Sequence, residues 1–132
     1  MGKATFDPQS PVISVDITLE GKNGRKRRIR VALDTGATYT MIPWEIAEAL
    51  GYKPEISKEK ITLITASGVE TAPIIEVKSV KFLGENIDNV KVVCHDLPPK
   101  SYVVGLLGSS FLRYFKITID YLKGVLEISR YA

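Results

Sequence analysis

Short apolar runs separated by glycine turns recur along this chain, and they restrict it to a fold built from strands. Val12-Ile13-Ser14-Val15-Asp16-Ile17-Thr18-Leu19 alternates in part between apolar and polar residues, and Gly21-Lys22-Asn23-Gly24 returns the chain into Lys26 to Leu33. A period of two buries one face of a strand, and a Gly-containing turn between two such runs makes a β-hairpin. Ile61-Thr62-Leu63-Ile64 and Val69-Glu70-Thr71-Ala72 flank Thr65-Ala66-Ser67-Gly68 in a second hairpin, and Ile117 to Tyr121 and Val125 to Ile128 enclose Leu122-Lys123-Gly124 in a third. Further strands are expected at Tyr39 to Ile42, at Ile74 to Leu83 and at Ile87 to Cys94, the last two joined through Gly84-Glu85-Asn86. His95 to Lys100 reads as a loop, and Val103-Val104-Gly105-Leu106-Leu107 is apolar on both faces, as a buried strand is. Helix signals are few and short. Pro43 is placed to open a helix over Trp44 to Leu50 with Gly51 as its stop, and Ser109 to Phe115 has room for about two turns with Ser109 or Ser110 as cap. The expectation is a single all-β domain over residues 1–132, mostly antiparallel, with one or two short helices and a flexible N-terminal segment at residues 1–10.

Composition narrows the partners. The net charge of +3 is only mildly basic, and its excess sits in Lys22 to Arg30 without the interleaved aromatic residues that stack on bases, so no nucleic-acid partner is expected. The single cysteine, Cys94, excludes an intramolecular disulfide, and Cys94-His95 offers too few ligands for a structural zinc site, so no metal or cofactor is expected. Cys94 reads as a half-buried strand residue rather than a reactive thiol, and His95-Asp96 as a solvated loop rather than an acid–base pair. No segment reaches the roughly 18 apolar residues of a membrane span. Met1 to Asp7 lacks the apolar core of a signal peptide, which makes the cytoplasm the expected location.

Chemistry concentrates at Asp34-Thr35-Gly36-Ala37, which the apolar run Ile29 to Leu33 delivers and which occurs once. A lone carboxylate at a strand end, held in a Gly turn, suggests half of a two-aspartate site whose other half comes from a second copy of the chain. The tripeptide alone is a weak signal. Its context is stronger: Thr40-Met41-Ile42-Pro43 comes next, a Gly-tipped hairpin stands about thirty residues later, and Leu106-Leu107-Gly108 precedes a short helix. This ordered set resembles the retropepsin-like aspartic proteases, the single-domain relatives of the pepsins. The resemblance spans Val12 to Ile128, and its most specific elements are Leu33 to Ala37 and Leu106 to Leu112.

The resemblance implies a closed β-barrel, one acid-protease half, working as a homodimer on an extended peptide or protein substrate. Asp34 would be the catalytic carboxylate, facing its copy across a two-fold axis. Thr35 would hydrogen-bond across that axis, and Gly36 would allow close approach and offer its carbonyl to a substrate N–H. Ala66, Ser67, Gly68 and Val69 would form the tip of a flap, and Leu106, Leu107 and Gly108 would support the Asp34 loop from below. Ala32, Met41 and Val69 are candidates for lining substrate pockets. Ala37 stands where pepsin-like chains often carry Ser; without that hydroxyl the ionised pair is less stabilised, which implies optimal activity at weakly acidic pH. The chain departs from the retroviral pattern at Thr38 and Ser109, where an acid and an arginine often pair; both change together, and two hydroxyls are left to bond instead. The C-terminal residues Glu127 to Ala132 are strand-like enough to join a dimer sheet, while Met1 to Ser10 is less so. The alternative from another class is a non-catalytic homodimeric peptide-binding or assembly module on the same fold, which would have no use for an intact Asp34-Thr35-Gly36.

Overall fold

The alternation in the sequence becomes burial in space: along the second strand, Val15, Ile17 and Leu19 face inward while Asp16 and Thr18 face out. The structure, a computed structural model, describes Gly2–Arg130; Met1, Tyr131 and Ala132, which the expected domain and its C-terminal strand include, lie outside the described residues. The elements are β1 (Gly2–Thr5), β2 (Ser14–Glu20), β3 (Lys26–Leu33), β4 (Thr40–Ile42), α1 (Trp44–Ala49), β5 (Lys60–Thr65), β6 (Gly68–Phe82), β7 (Glu85–Cys94), β8 (Gly105–Leu107), α2 (Ser109–Leu112), β9 (Phe115–Asp120) and β10 (Val125–Arg130).

The main sheet runs β2-β3-β8-β4-β7-β6-β5 and closes on itself, because β6 also pairs with β2 from Thr18↔Lys81 to Glu20↔Ser79. Closure leaves the barrel without free edges, and β5 hangs outside it on β6. This is the closed all-β barrel with two short helices that the sequence resemblance implied. Its centre is filled by Ile17, Leu19, Val31, Ile42, Val77, Val80, Phe82, Leu107 and Phe111. Phe82 and Phe111 meet edge-on at 6.4 Å, and Phe111 lies against Phe115 at 5.0 Å. Below sits a second sheet, β1-β10-β9.

Three local expectations are corrected. The expected flexible segment at residues 1–10 contains β1, which pairs with β10 from Gly2↔Ile128 to Thr5↔Val125. Its signal is absent from the side-chain pattern because the pairing is through main chain, and because buried Gly2 fits where a Cβ would lie 2.5 Å from that of Leu83. Phe6 continues the attachment, with its N–H on the Gly124 carbonyl at 2.8 Å and its ring edge-on to Tyr121. Second, the two strands expected either side of Pro73 are one strand, β6. Pro73 is the point at which β6 changes partner, from β5 (Lys60↔Pro73) to β7 (Ile74↔Val93), so its missing N–H costs no ladder bond in the barrel. Third, the turn into β7 is Leu83-Gly84, both at positive φ (50° and 81°), while Glu85 and Asn86 already belong to the strand. That is the torsion pattern of a two-residue hairpin matched to strand twist.

The basic stretch lies on the β2–β3 hairpin. Asp16 sits between Arg28 at 2.9 Å and Arg30 at 3.0 Å. The Arg28 guanidinium first, and Arg30 beside it, hold the Asp16 carboxyl below the usual carboxylate range. At this exposure such a pair contributes on the order of 0–1 kcal/mol.

Two consequences are measurable. Cys94 is fully buried in β7, and burial first, with Asp96 nearby, pushes its thiol up to about 12. Iodoacetamide at pH 7.5 should therefore leave it unlabelled in the folded protein and label it in denaturant, as read by intact mass. Gly108 has ordinary extended torsions, so its requirement is space: a Cβ there would lie 2.5 Å from the Tyr39 carbonyl oxygen and 2.8 Å from that of Ala37. Gly108→Ala should lower stability by about 3 kcal/mol, read as a fall in the urea midpoint at unchanged slope.

Candidate active site

β3 ends at Leu33, and the loop beyond it is held by main chain rather than by side-chain packing. Asp34 N–H donates to the Leu107 carbonyl at 3.0 Å, Ala37 N–H to the Asp34 carbonyl at 3.2 Å, and Gly36 N–H to Asp34 Oδ1 at 3.1 Å. The first bond fixes where the loop starts, the second closes its turn, and the third orients the carboxylate. Asp34 is half-buried, whereas Thr35 and Gly36 are exposed beside it. The loop thus satisfies one carboxylate oxygen.

β8 crosses beneath. It runs parallel to β3, with Ala32↔Leu106 and Leu33↔Leu107 in register, and antiparallel to β4 through Met41↔Leu106. Leu107 is fully buried. Glycines bracket the crossing because the backbones touch: a Cβ on Gly105 would strike the Met41 carbonyl, as one on Gly108 would strike that of Tyr39. Of the residues expected to support the Asp34 loop, Leu106 and Leu107 pair in register with the end of β3, and Gly108 packs against the Tyr39 and Ala37 carbonyls.

One part of the support was not read from the sequence. Thr40 is completely buried, and its Oγ1 accepts Gly108 N–H at 3.1 Å and the Ser110 hydroxyl at 3.3 Å, while Thr40 N–H donates to Ser110 Oγ at 2.9 Å. This reciprocal pair ties the exit of the Asp34 loop to α2. It also replaces the hydroxyl pair expected at Thr38 and Ser109; Ser109 contributes instead through its N–H, on the Ala37 carbonyl at 2.7 Å. Neither Ser109 nor Ser110 caps α2, whose N-cap is Gly108 without a side-chain bond. The detectable signal was the polar residue Thr40 inside an otherwise apolar strand, since a buried hydroxyl needs a partner.

β5 and the first half of β6 form a two-stranded ribbon whose tip is Thr65-Ala66-Ser67-Gly68, with Thr65↔Gly68 the last pair. Thr65 Oγ1 bonds Ser67 Oγ and the Gly68 carbonyl, each at 3.1 Å, and Gly68 adopts φ +127°, a conformation that side chains resist. Ala66, Ser67, Gly68 and Val69 are all exposed, and Val69 (71%) faces Ile64 (87%) across the ribbon. Under the ribbon lies a cleft of about 580 Å³, floored by Met41 and Leu106 and walled by Leu63, Leu97, Pro98 and Pro99. Of the expected pocket residues Met41 lines it, Ala32 is buried in the barrel and Val69 is on the exposed ribbon. The expected solvated loop at His95-Asp96 is pinned: His95 Nε2 bonds Glu70 Oε2 at 2.8 Å, and Asp96 Oδ1 accepts the Trp44 N–H at 3.0 Å. Among the described residues no three His, Cys, Asp or Glu side chains converge as metal ligands would.

Known proteins share this geometry. Residues 20–114 match the family described as "gag-polyprotein putative aspartyl protease", a span that holds the Asp34 loop, the ribbon and the β8–α2 crossing. No curated protein matches the sequence. Among solved structures, the chain is similar to the crystal structure of a retropepsin-like aspartic protease from Rickettsia conorii, at 28% identity and a TM-score of 0.70, over 98% of this chain and 99% of that one. A match over most of the length to that family, with the whole fold shared, means that the chain belongs to the retropepsin-like, gag-polyprotein type aspartyl protease family.

Proposed function

We propose that the chain is an aspartic endopeptidase that works as a symmetric homodimer, with Asp34 and the partner subunit's Asp34 as its catalytic pair. The observation that carries this reading is a half-buried carboxylate oriented by main-chain bonds at the end of β3, next to exposed Thr35 and Gly36. Such a loop is built to hold one acid still and to leave its neighbours free for another surface. A two-fold axis through that surface brings the second carboxylate.

The pair is needed because one acid cannot do both halves of the reaction. Two aspartates about 3 Å apart cannot both ionise cheaply and share one proton, the known behaviour of aspartic-protease dyads. The ionised member takes a proton from a bound water, whose oxygen attacks the scissile carbonyl, while the protonated member donates to that carbonyl's oxygen. The first aspartate then gives the water's proton to the leaving nitrogen as the C–N bond breaks. The second takes a proton back from a hydroxyl of the tetrahedral diol as the new carboxyl forms, which restores the shared proton with no covalent intermediate. Thr35 would bond across the axis and make the floor rigid; Gly36 would offer its carbonyl to a substrate N–H. The peptide would lie extended between this floor and the ribbon tip at Ala66, Ser67, Gly68 and Val69, held by main-chain bonds in the manner of an added strand. The cleft under the ribbon is apolar, which favours apolar substrate side chains there. The cytoplasm remains the location we assign; no helix among the described residues is long and apolar enough to cross a membrane.

The decisive experiment is digestion of a peptide library by wild type and Asp34→Asn across pH. Asp34→Asn should lower kcat by about a thousandfold or more while the fold and the dimer persist. Because Ala37 supplies no hydroxyl to the ionised pair, the wild-type optimum should be weakly acidic; an optimum below about pH 3 would contradict this. Equal cleavage by both, or none by a folded wild-type dimer, would transfer the assignment to a peptide-binding or assembly module. Mixing gives a separate check of the shared site: an excess of Asp34→Asn added to wild type should suppress activity as mixed dimers form, and undiminished activity would show that one chain suffices.

A further inference from the structure

Among the described residues the ribbon is tied to the body by one side-chain hydrogen bond, beside apolar packing of Ile61 and Leu63 at its base. From Lys60 to Thr71 no residue is fully buried, and the two strands pair with each other. Among the described residues a single side-chain hydrogen bond joins this stretch to the barrel, His95 Nε2 to Glu70 Oε2 at 2.8 Å. Leu63 and Glu70 are cross-strand partners and share the ribbon's inner face. Leu63 packs, as Met41 does, on the small cluster of Ala72, Ile74 and Val93, and Glu70 reaches His95.

The other side of the contact is rigid. His95 N–H donates to the Ile42 carbonyl at 3.0 Å, Cys94 before it is fully buried in β7, and Asp96 after it is fastened to the Trp44 N–H at 3.0 Å. A fixed imidazole therefore meets one carboxylate on a projecting arm, two residues beyond Gly68 at the turn. The side chains are 24% and 47% exposed, so the contact adds little to global stability. Its leverage is local, because the apolar cleft beside it keeps its depth only while the ribbon stays at this height.

We propose that His95 is a positioning residue for the ribbon: the bond from its Nε2–H to Glu70 sets the ribbon's height over Met41 and Leu106 and preforms the cleft before a peptide arrives. An imidazole donates from Nε2 both as that neutral tautomer and when protonated, so the clasp depends on the hydrogen bond rather than on charge. Preforming a site removes part of the ordering cost from binding and shows in KM more than in kcat. The consequence for cleavage rests on the protease reading given above; the clasp itself does not.

The test combines amide hydrogen exchange with steady-state peptide cleavage in wild type, His95→Ala, Glu70→Ala, the double variant and Glu70→Gln. His95→Ala and Glu70→Ala should each speed exchange across Lys60 to Thr71 by about fivefold, with β7 and β8 unchanged as folding controls. The double variant should go no further than either single one. Glu70→Gln, whose amide oxygen accepts the same bond, should retain most of the protection. In the two alanine variants KM should rise by about the same factor with kcat within about twofold of wild type. Wild-type exchange in the ribbon of His95→Ala overturns the clasp, whatever the catalytic result. Faster exchange with an unchanged KM overturns its role in preforming the cleft. If wild type itself cleaves nothing, the protease reading fails, and the exchange rates still decide the clasp.

Discussion

β8 passes between β3 and β4, and that passage sets the position of the Asp34 loop and of the cleft floor. It is a contact of main chain with main chain: Leu107 receives the Asp34 N–H, Gly105 lies on the Met41 carbonyl, and Gly108 lies on those of Tyr39 and Ala37. Fully buried Leu107 anchors the crossing in the barrel core, together with Phe111 and Phe82. The Asp34 loop inherits its position from that core through the Asp34 N–H on the Leu107 carbonyl at its start and the Ser109 N–H on the Ala37 carbonyl at its end. Under the proposed pairing of two such carboxylates the support matters, because a loop held only by its own turn would wander by more than catalysis tolerates.

Rigidity at the floor contrasts with the ribbon above. The barrel is closed and its strands are paired on both sides, while β5 and the first half of β6 have only each other. Pro73 marks the boundary, since it ends the pairing with β5 where pairing with β7 begins. The same strand is thus a stave of the barrel at one end and an arm at the other. The division suits a site in which the acids stay fixed and the cover admits a peptide.

How much of this was legible in the sequence depended on whether side chains carried the signal. The hairpins and buried Leu107 were readable because alternation and glycine turns record which faces are buried, whereas Val103 to Leu107, expected to be buried on both faces, leaves Val104 exposed and Leu106 partly open to the cleft. The Asp34 loop was readable because its residue types reflect directly the turn it makes. β1 was not, since a strand that pairs through main chain with Gly2 at its packed position leaves no apolar pattern. The Thr40–Ser110 lock was missed because a polar residue in an apolar strand signals a partner without naming it; the two are 70 positions apart and their hydroxyls meet only after β4 and α2 pack. The same distance effect hid His95, whose partner Glu70 lies 25 residues earlier on another element.

The order of residues is enough to specify an all-β chain with one Asp-Thr-Gly turn between a strand and the short run that follows it. Those are local properties, fixed by periodicity and by the torsions that glycine allows. Folding in three dimensions selects the main-chain groups that orient the Asp34 carboxylate, makes the N-terminal segment a sheet strand, and stands His95 under the ribbon rather than in solvent. Each of these is a contact between segments far apart in the chain. Long-range contacts are chosen by packing and by the pairing of every buried polar group, which no residue encodes alone.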